Sequence, residues 1–350
     1  MLNRNVQLLI FVLSFVFTSK YYSQIGEPGD TIYVANWNVE NLFDTNDDPG
    51  KNDSEFLPES KKQWTEDKVE KKLKNLTTVI NYMNSGCGPD LIGFEEVENI
   101  NILKRLIYKL PDRDYIMCYR ESPDERGIDA CLLYDRTVFD IVDLKPIHVE
   151  IPSQNPTRDI LFVTLRHKIS GSLIHVFVNH WPSRIGGEEK SEPNRIAAAA
   201  YLRYAVNSIM NKKNEDGQII MLGDFNDEPG NKSIEDVLDA HEYNCNKSQN
   251  IPKTLINLAY QSYKEKKGSY LYGSKWNMLD QIIISPDFID GRKLDYLCDS
   301  FEIIKPTFMI VKEGKRKNGP KPTFEGSKYI GGFSDHFPVA AKFFYRKGSK

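Results

Sequence analysis

The sequence is poor in cysteine, with five in 350 residues, at positions 87, 118, 131, 245 and 298. So few, so unevenly spaced, do not make a disulfide framework, and the odd number leaves at least one thiol unpaired within the chain. No two have CxxC spacing and none stands beside a histidine, so neither a zinc site nor a dithiol redox site is indicated. Each reads as a small core residue, most plainly Cys131 inside Ala130-Cys131-Leu132-Leu133-Tyr134. Positive charge is not in excess either. With 46 Lys and Arg against 49 Asp and Glu, the formal net charge is −3. That excludes a molecule-wide basic field, so any polyanion contact must be local. Gly and Pro are moderate and no internal repeat is present, whereas hydrophobic residues make up 40% and include 18 Phe and 18 Tyr. Collagen, coiled coil and disorder are excluded, and a large core is expected.

Long apolar runs are missing apart from Val6 to Phe17, which is too short to span a bilayer. Arg4 precedes it and small or polar residues follow, so residues 1–24 read as a signal peptide cleaved near Ser23. The expected product is exported, periplasmic or extracellular, with no stable membrane span. Loss of Arg4 and Lys20 leaves it with a charge of −5.

Apolar spacing predicts a strand over Thr31–Asn38 and helices over Thr65–Met83 and Ile100–Leu110. A short strand falls at Leu91–Phe94, and further strands at Tyr115–Arg120, Asp129–Tyr134, Phe139–Val149, Ile160–His167 and Ile174–Asn179. Pro193–Met210 reads as a helix with proline in its first turn. Strands at Gln218–Leu222, Asp280–Ser285, Tyr296–Ile304 and Val339–Phe344 follow, with a short helix at Ser233–Asp239. Strands outnumber helices and no interdomain linker stands out. Residues 25–350 are therefore expected to form one layered α/β domain with two sheets.

Polar residues collect at the strand ends. Period-two alternation places Asn36, Asn38 and Glu40 on one side of the first strand. Glu95 and Glu96 end the Leu-Ile-Gly-Phe strand, His180 closes Ile174–Asn179, and Asp224 and Asn226 follow Ile219–Gly223. Asp280 opens Gln281–Ile284, and Asp335-His336 precedes the last strand. Asp and Asn after a strand are ordinary turn residues. Carboxylates, amides and imidazoles repeated at six strand ends are the composition of a site assembled from many loops. His148, His167, His175 and His241 lack such company and read as structural.

The ordered set Asn36-Trp37-Asn38-Val39-Glu40-Asn41-Leu42-Phe43, Glu95-Glu96-Val97-Glu98-Asn99, Asn179-His180-Trp181-Pro182-Ser183-Arg184, Gly223-Asp224-Phe225-Asn226-Asp227 and Ser334-Asp335-His336-Phe337-Pro338-Val339 resembles the endonuclease/exonuclease/phosphatase superfamily, in its exported bacterial branch. The resemblance implies a four-layer α/β sandwich, two packed mixed β-sheets flanked by helices. It implies Asn38, Glu96, Asp335 and Glu40 at the metal, with Glu96 the direct carboxylate ligand. It implies His180, Asp224, Asn226, Asp280 and His336 as the catalytic set, Asp280 pairing with His336. Glu95 stands where many relatives have Gln, adding charge and leaving open which glutamate ligates. Glu121 is a loose candidate to partner His180, and Tyr119 for a tyrosine near the phosphate.

These residue types suit phosphodiester hydrolysis. An all-oxygen donor set without cysteine prefers a hard cation, Mg²⁺ with Mn²⁺ as an alternative, and no EF-hand spacing is present. A His-Asp pair fixes the ring tautomer and raises its pKa, so that either Asp224 or His336 could activate water. Asn226 would donate to an oxygen gaining charge. Arg184, followed by Gly186-Gly187, and Arg126, within Asp124–Asp129, are candidate phosphate contacts, and Trp181 either stacks on substrate or is buried. The Lys/Arg-rich stretch Lys312–Lys321 is a solvated loop by itself, but its place before Asp335-His336 would let it rim a cleft. The expected protein is a phosphodiesterase acting on DNA or RNA. The alternatives are a phosphatase or phospholipase-like enzyme for a sugar phosphate, inositol phosphate or phospholipid, and a non-catalytic binding protein that keeps the fold.

Overall fold

The structure, a computed structural model, describes residues 31–211, 218–245, 251 and 253–345. The expected signal segment lies outside them. Eighteen strands follow in chain order: β1 Thr31–Leu42, β2 Leu91–Val97, β3 Tyr115–Tyr119, β4 Asp129–Asp135, β5 Phe139–Ile147, β6 Ile160–His167, β7 Leu173–His180, β8 Gln218–Asp224, β9 Ala240–His241, β10 Leu255–Asn257, β11 Tyr270–Tyr272, β12 Lys275–Asn277, β13 Asp280–Ile284, β14 Leu294–Tyr296, β15 Glu302–Ile303, β16 Phe324–Glu325, β17 Lys328–Tyr329 and β18 Val339–Tyr345. The α-helices are α1 Glu66–Tyr82, α2 Ile100–Tyr108, α3 Glu188–Met210 and α4 Tyr260–Lys264.

Two mixed sheets carry the fold. The first runs β14-β18-β1-β2-β4-β3, with β15 also on β18, and the second β5-β6-β7-β8-β13-β10-β9. Each is built around one long parallel pair, β1/β2 and β7/β8, joined through α1 and α3 respectively. Parallel neighbours need such a crossover, whereas the antiparallel ones do not.

Alternation along the strands explains the layers. Tyr33, Ala35, Trp37 and Val39 of β1 join Leu73, Leu76 and Leu106 of α1 and α2 in one core. Ile32 and Val34 point the other way, into a core shared with Val176, Val178, Leu222 and Ile282 of the second sheet. The far face of that sheet packs Phe177, Ile219 and Met221 on Ala198, Ala199, Leu202 and Val206 of α3. Three cores between four layers give the expected sandwich.

At Gly93 the sheets come so close that a Cβ would stand 2.2 Å from Leu222 and 2.7 Å from Asn36 Oδ1. Gly223, at φ 148°, lies with Asn179 O only 2.0 Å from where a Cβ would be. A side chain at either position would push apart the strands that carry the site.

Four expectations need correction. Helix α3 begins at Glu188, five residues before Pro193. Ser191 Oγ donates to Gly187 O and Glu188 O, and Arg195 Nη2 also donates to Glu188 O, stabilising a first turn upstream of the proline. The Tyr296–Ile304 region yields two short strands, β14 and β15, and the helix at Ser233–Val237 is a π turn. Short pieces such as β9, β10, the β11/β12 and β16/β17 hairpins and α4 are fixed by tertiary pairing and leave little pattern. Cys245 and Cys298 are not isolated core residues but form a disulfide. Cys245 follows β9 at the edge of the second sheet and Cys298 follows β14 at the edge of the first, so the bond ties the sheets together. Cys118 and Cys131 are buried thiols, and Cys87 is an exposed one.

Candidate active site

Both parallel pairs end at the same rim of the sandwich. Asn38 pairs with Glu95 across β1/β2, His180 with Asp224 across β7/β8, and Asp280 with Asp224 across β8/β13. The fold thus gathers residues that are up to 298 positions apart in sequence, from Asn38 to His336.

Asn38 Nδ2 links the two sheets by donating to Asp224 Oδ2 at 3.0 Å and to Glu96 Oε1 at 3.4 Å. His180 Nε2 faces the same two carboxylates, 3.8 Å from Glu96 Oε1 and 3.9 Å from Asp224 Oδ2. His336 Nε2 lies 4.0 Å from Asp224 Oδ2, while its Nδ1 is 2.7 Å from Asp280 Oδ2. One small space is therefore bounded by two imidazoles, two carboxylates and an amide.

The glutamates at the end of β2 are separated by a bulge. Register shifts between Phe94 and Val97, and Glu96 takes φ 64°, so that it departs from strict alternation. Glu96 turns to the cleft, its Oε2 accepting from Asn41 N. Glu95 instead lies fully buried with Asn36 Nδ2 on its carboxyl. Burial, reinforced by Asp280 and Asp224, holds its pKa well above the usual carboxylate range. Of the two glutamates, Glu96 is the one that faces the cleft.

A second bulge displaces Glu40. Register shifts between Asn38 and Leu42, and both Glu40 and Asn41 have positive φ, 53° and 55°. The Glu40 carboxylate accepts from Thr323 N at 2.6 Å and Phe324 N at 3.2 Å. Burial and the charge of Asp335 push it up to about 7, against the pull of Lys72. It pins the segment that leads into Asp335, with Lys72 Nζ held by Thr323 Oγ1 and Phe333 O. Asp335 is half-buried, and its charge acts on Glu40, Lys72 and His336.

The histidines are driven apart. For His336 burial favours the neutral ring, but the Asp280 ion pair and the charges of Asp224 and Asp335 outweigh it and hold the pKa well above the usual range. For His180 burial acts with the charges of Arg158, Arg126 and His336 to hold it well below. Asp224 is pushed up by burial to about 6. Asn226, at φ 50°, donates its backbone N–H to Asp224 Oδ1 at 2.9 Å and its amide to Trp181 O at 3.0 Å. It orients Asp224, so its amide is not a free donor.

Arg158, which no sequence motif marked, is the buried cation of the site. Its Nη1 pairs with Asp124 and its Nη2 donates to Trp181 O at 2.7 Å. Its Nε has no acceptor. Its only sequence signal is a charged residue just ahead of the buried strand β6. Arg126 remains half-exposed beside Asp124. Arg184 is corrected: its guanidinium is spent on Asn226 O, Asn231, Asp227 and Glu188, which brace the loop after Asp224. Trp181 is buried against Phe225. Glu121 does not partner His180, because it pairs with Lys51 and Tyr119, and His180 Nδ1 is buried without an acceptor. Tyr119 is tied down by Asp129 and Glu98 O. The four other histidines make local contacts, His148 to Asp159, His167 to Ser170, His175 to Thr164 and His241 to Asp239.

Among the described residues no three His, Cys, Asp or Glu side chains converge into a cage for a metal. The carboxylates of Glu96 and Asp335 are hard oxygens, while the Asn38 amide meets Glu96 through Nδ2 and its Oδ1 accepts from Glu40 N. The two carboxylates suit a cation that keeps much of its water.

A family description, endonuclease/exonuclease/phosphatase family, matches residues 33–345. No match is found among curated proteins. Among solved structures, a mannosyl-6-phosphatase of Bacteroides thetaiotaomicron is similar at a TM-score of 0.54 and 18% identity, over 89% of this chain and 99% of that one. The human Nocturnin catalytic domain with a bound sulfate anion is similar at 0.54 and 17%, over 91% and 95%. TDP2 of D. rerio, complexed with a single strand DNA product, is similar at 0.54 and 14%, over 89% and 98%. These likenesses carry the fold, two mixed sheets with flanking helices. Matched across nearly its whole described length, the chain belongs to the endonuclease/exonuclease/phosphatase family, whose members are phosphoester hydrolases.

Proposed function

We propose that this protein is an exported, Mg²⁺-dependent phosphodiesterase that hydrolyses DNA or RNA, with Mn²⁺ able to substitute. The observation that carries the reading is the meeting of Glu96, His180, Asp224 and the His336–Asp280 pair around one space, each cleft contact at 4.0 Å or less.

Asp224 is the base. Held by Asn38 and the Asn226 N–H, and titrating near 6, it is ionised at neutral pH and able to take a proton from water. With Asp280 holding its pKa well above the usual range, His336 is cast as the acid rather than the base. Its Nε2 donates to a phosphoryl oxygen and later to the departing one. His180, whose Nε2 faces Glu96 and Asp224, is a second donor, and the positive charges of Arg158 and Arg126 act on it. Glu96, with Asn38 and Asp335, would hold the divalent ion, which would supply Lewis-acid stabilisation of phosphoryl and leaving oxygens. Export is supported by the Cys245–Cys298 bond, since disulfides persist in oxidising compartments.

One observation favours a second reading, a phosphatase for a small phosphoester. Arg184 is turned inward onto its own loop, which removes one cation from those that could grip a duplex. Salt separates the two, because a nuclease neutralising several phosphates loses affinity steeply with ionic strength. The decisive assay incubates the protein with supercoiled plasmid, linear DNA, RNA and sugar phosphates, with Mg²⁺ or chelator. Chelator-sensitive cleavage of nucleic acid is expected. Release of phosphate from the sugar phosphates alone would move the substrate to the second reading, and activity equal in chelator would remove the metal.

A further inference from the structure

Between β15 and β16 the chain makes a loop whose basic residues the proposed chemistry does not use. Ile310 bridges Pro320, Val311 N donates to Gly319 O and Asn318 N to Val311 O, and Lys321 N returns to Met309 O. The loop is thus a closed hairpin-like turn of defined shape. Along it Lys312, Lys315 and Lys317 are exposed, as solvated lysines are, while Arg316 is drawn half inside.

Its neighbours lead to the active site. Gly319, whose N–H bonds Arg316 O, is seated on Leu271 so closely that a Cβ would be 2.8 Å from that side chain. Leu271 belongs to β11 together with Tyr270, whose backbone bridges His336 and whose ring lies on the imidazole, centroids 4.7 Å apart. The Arg316 charge acts on the Tyr270 hydroxyl. Arg316 therefore acts on the residue whose ring lies on His336.

The guanidinium is permanently charged and carries five donors. Arg184 finds five acceptor residues and Arg158 two, yet Arg316 Nε and Nη2 are shielded from solvent with no acceptor among the described residues. Shielded donors without partners are costly, and an anionic acceptor relieves the cost. We infer that Arg316 is a specificity-determining residue that binds a second phosphate group of the substrate, one beyond the phosphate being hydrolysed. The inference rests on the phosphodiesterase reading and narrows it to substrates with at least two phosphates.

The test compares kcat/KM for TpT, which has only the scissile phosphate, with pTpT and TpTp, in the wild type and in Arg316→Gln and Arg316→Lys. Glucose 6-phosphate and glucose 1,6-bisphosphate form a parallel pair for a small-molecule source. The wild type is expected to favour the substrate with the extra phosphate by about tenfold or more through KM, as a charge-assisted forked contact allows. In Arg316→Gln that ratio falls to about one, and Arg316→Lys restores part of it. A ratio unchanged in Arg316→Gln overturns the inference, because a merely structural role lowers both rates together. Titration of pTp and pT, followed by calorimetry, separates the two claims. If no substrate is hydrolysed but pTp binds more tightly than pT only when Arg316 is present, the proposed function fails and the inference stands. Equal affinities in wild type and Arg316→Gln overturn it.

Discussion

His180 and His336 face the same carboxylate, and their pKa values are shifted in opposite directions. Asp280 makes the difference, so Asp280→Asn should lower kcat by about 10²–10⁴-fold, the usual worth of a positioned acid–base group. The wild-type pair also stabilises the fold. A histidine raised above its unfolded value stabilises fully below about 6.5, and that stability is lost as pH rises through the elevated folded value. Asp280→Asn should therefore narrow the stability difference between pH 6 and alkaline pH, as urea unfolding at both would read. The acid limb of the pH–rate profile belongs to Asp224 and should lie at or below about 6, since a bound cation lowers it further. A limb that persists in an active Asp224 variant would remove it as the base. His180, Asp224, Asp280 and His336 were legible because a polar residue closing or opening an apolar strand is visible in one dimension. Glu95 and Glu96 could not be told apart, since the bulge that turns one inward leaves no mark on an alternating pattern. Arg184 misled for the opposite reason, standing next to site residues in sequence while its fork points into its own loop.

Among the elements, the parallel pairs β1/β2 and β7/β8 decide where the site lies, and Gly93 and Gly223 let them approach. Gly93→Ala inserts a methyl into Leu222 and should destabilise by about 1–3 kcal/mol, the cost of overpacking a closed core, with activity falling in step. A melting curve beside a rate measurement checks both. Arg184→Gln should also lower the melting temperature and kcat, through slackening of the residues 226–231 loop, while leaving the salt dependence of KM unchanged. A shallower salt slope would instead make it a phosphate contact. The long strands and helices could be read from periodicity because each buries a continuous face. The two-residue strands and the five-residue α4 were not, because their backbone partners come from distant parts of the chain. Helix α3 gained its early turn from Ser191 and Arg195, whose hydroxyl and guanidinium satisfy carbonyls that a proline-based start would leave outside.

For the molecule as a whole, the Cys245–Cys298 bond closes a loop of 53 residues between the outer edges of both sheets. A chain-entropy estimate for such a loop is about 4 kcal/mol, and removal of native disulfides typically costs about 2–5 kcal/mol. The double variant Cys245→Ser/Cys298→Ser should therefore unfold at distinctly lower denaturant, and reductant should bring the wild type to the same midpoint. Unequal spacing hid this pair in the sequence, where only the folded Cα separation of 6.0 Å reveals it. Each sheet carries an incomplete share of the reactive groups, Asn38, Glu96 and His336 beside one and His180, Asp224 and Asp280 on the other. On the proposed reading, a nascent or half-unfolded polypeptide is consequently inert toward phosphate esters. The capacity to cut is created at the moment the two walls dock and is withdrawn when they part.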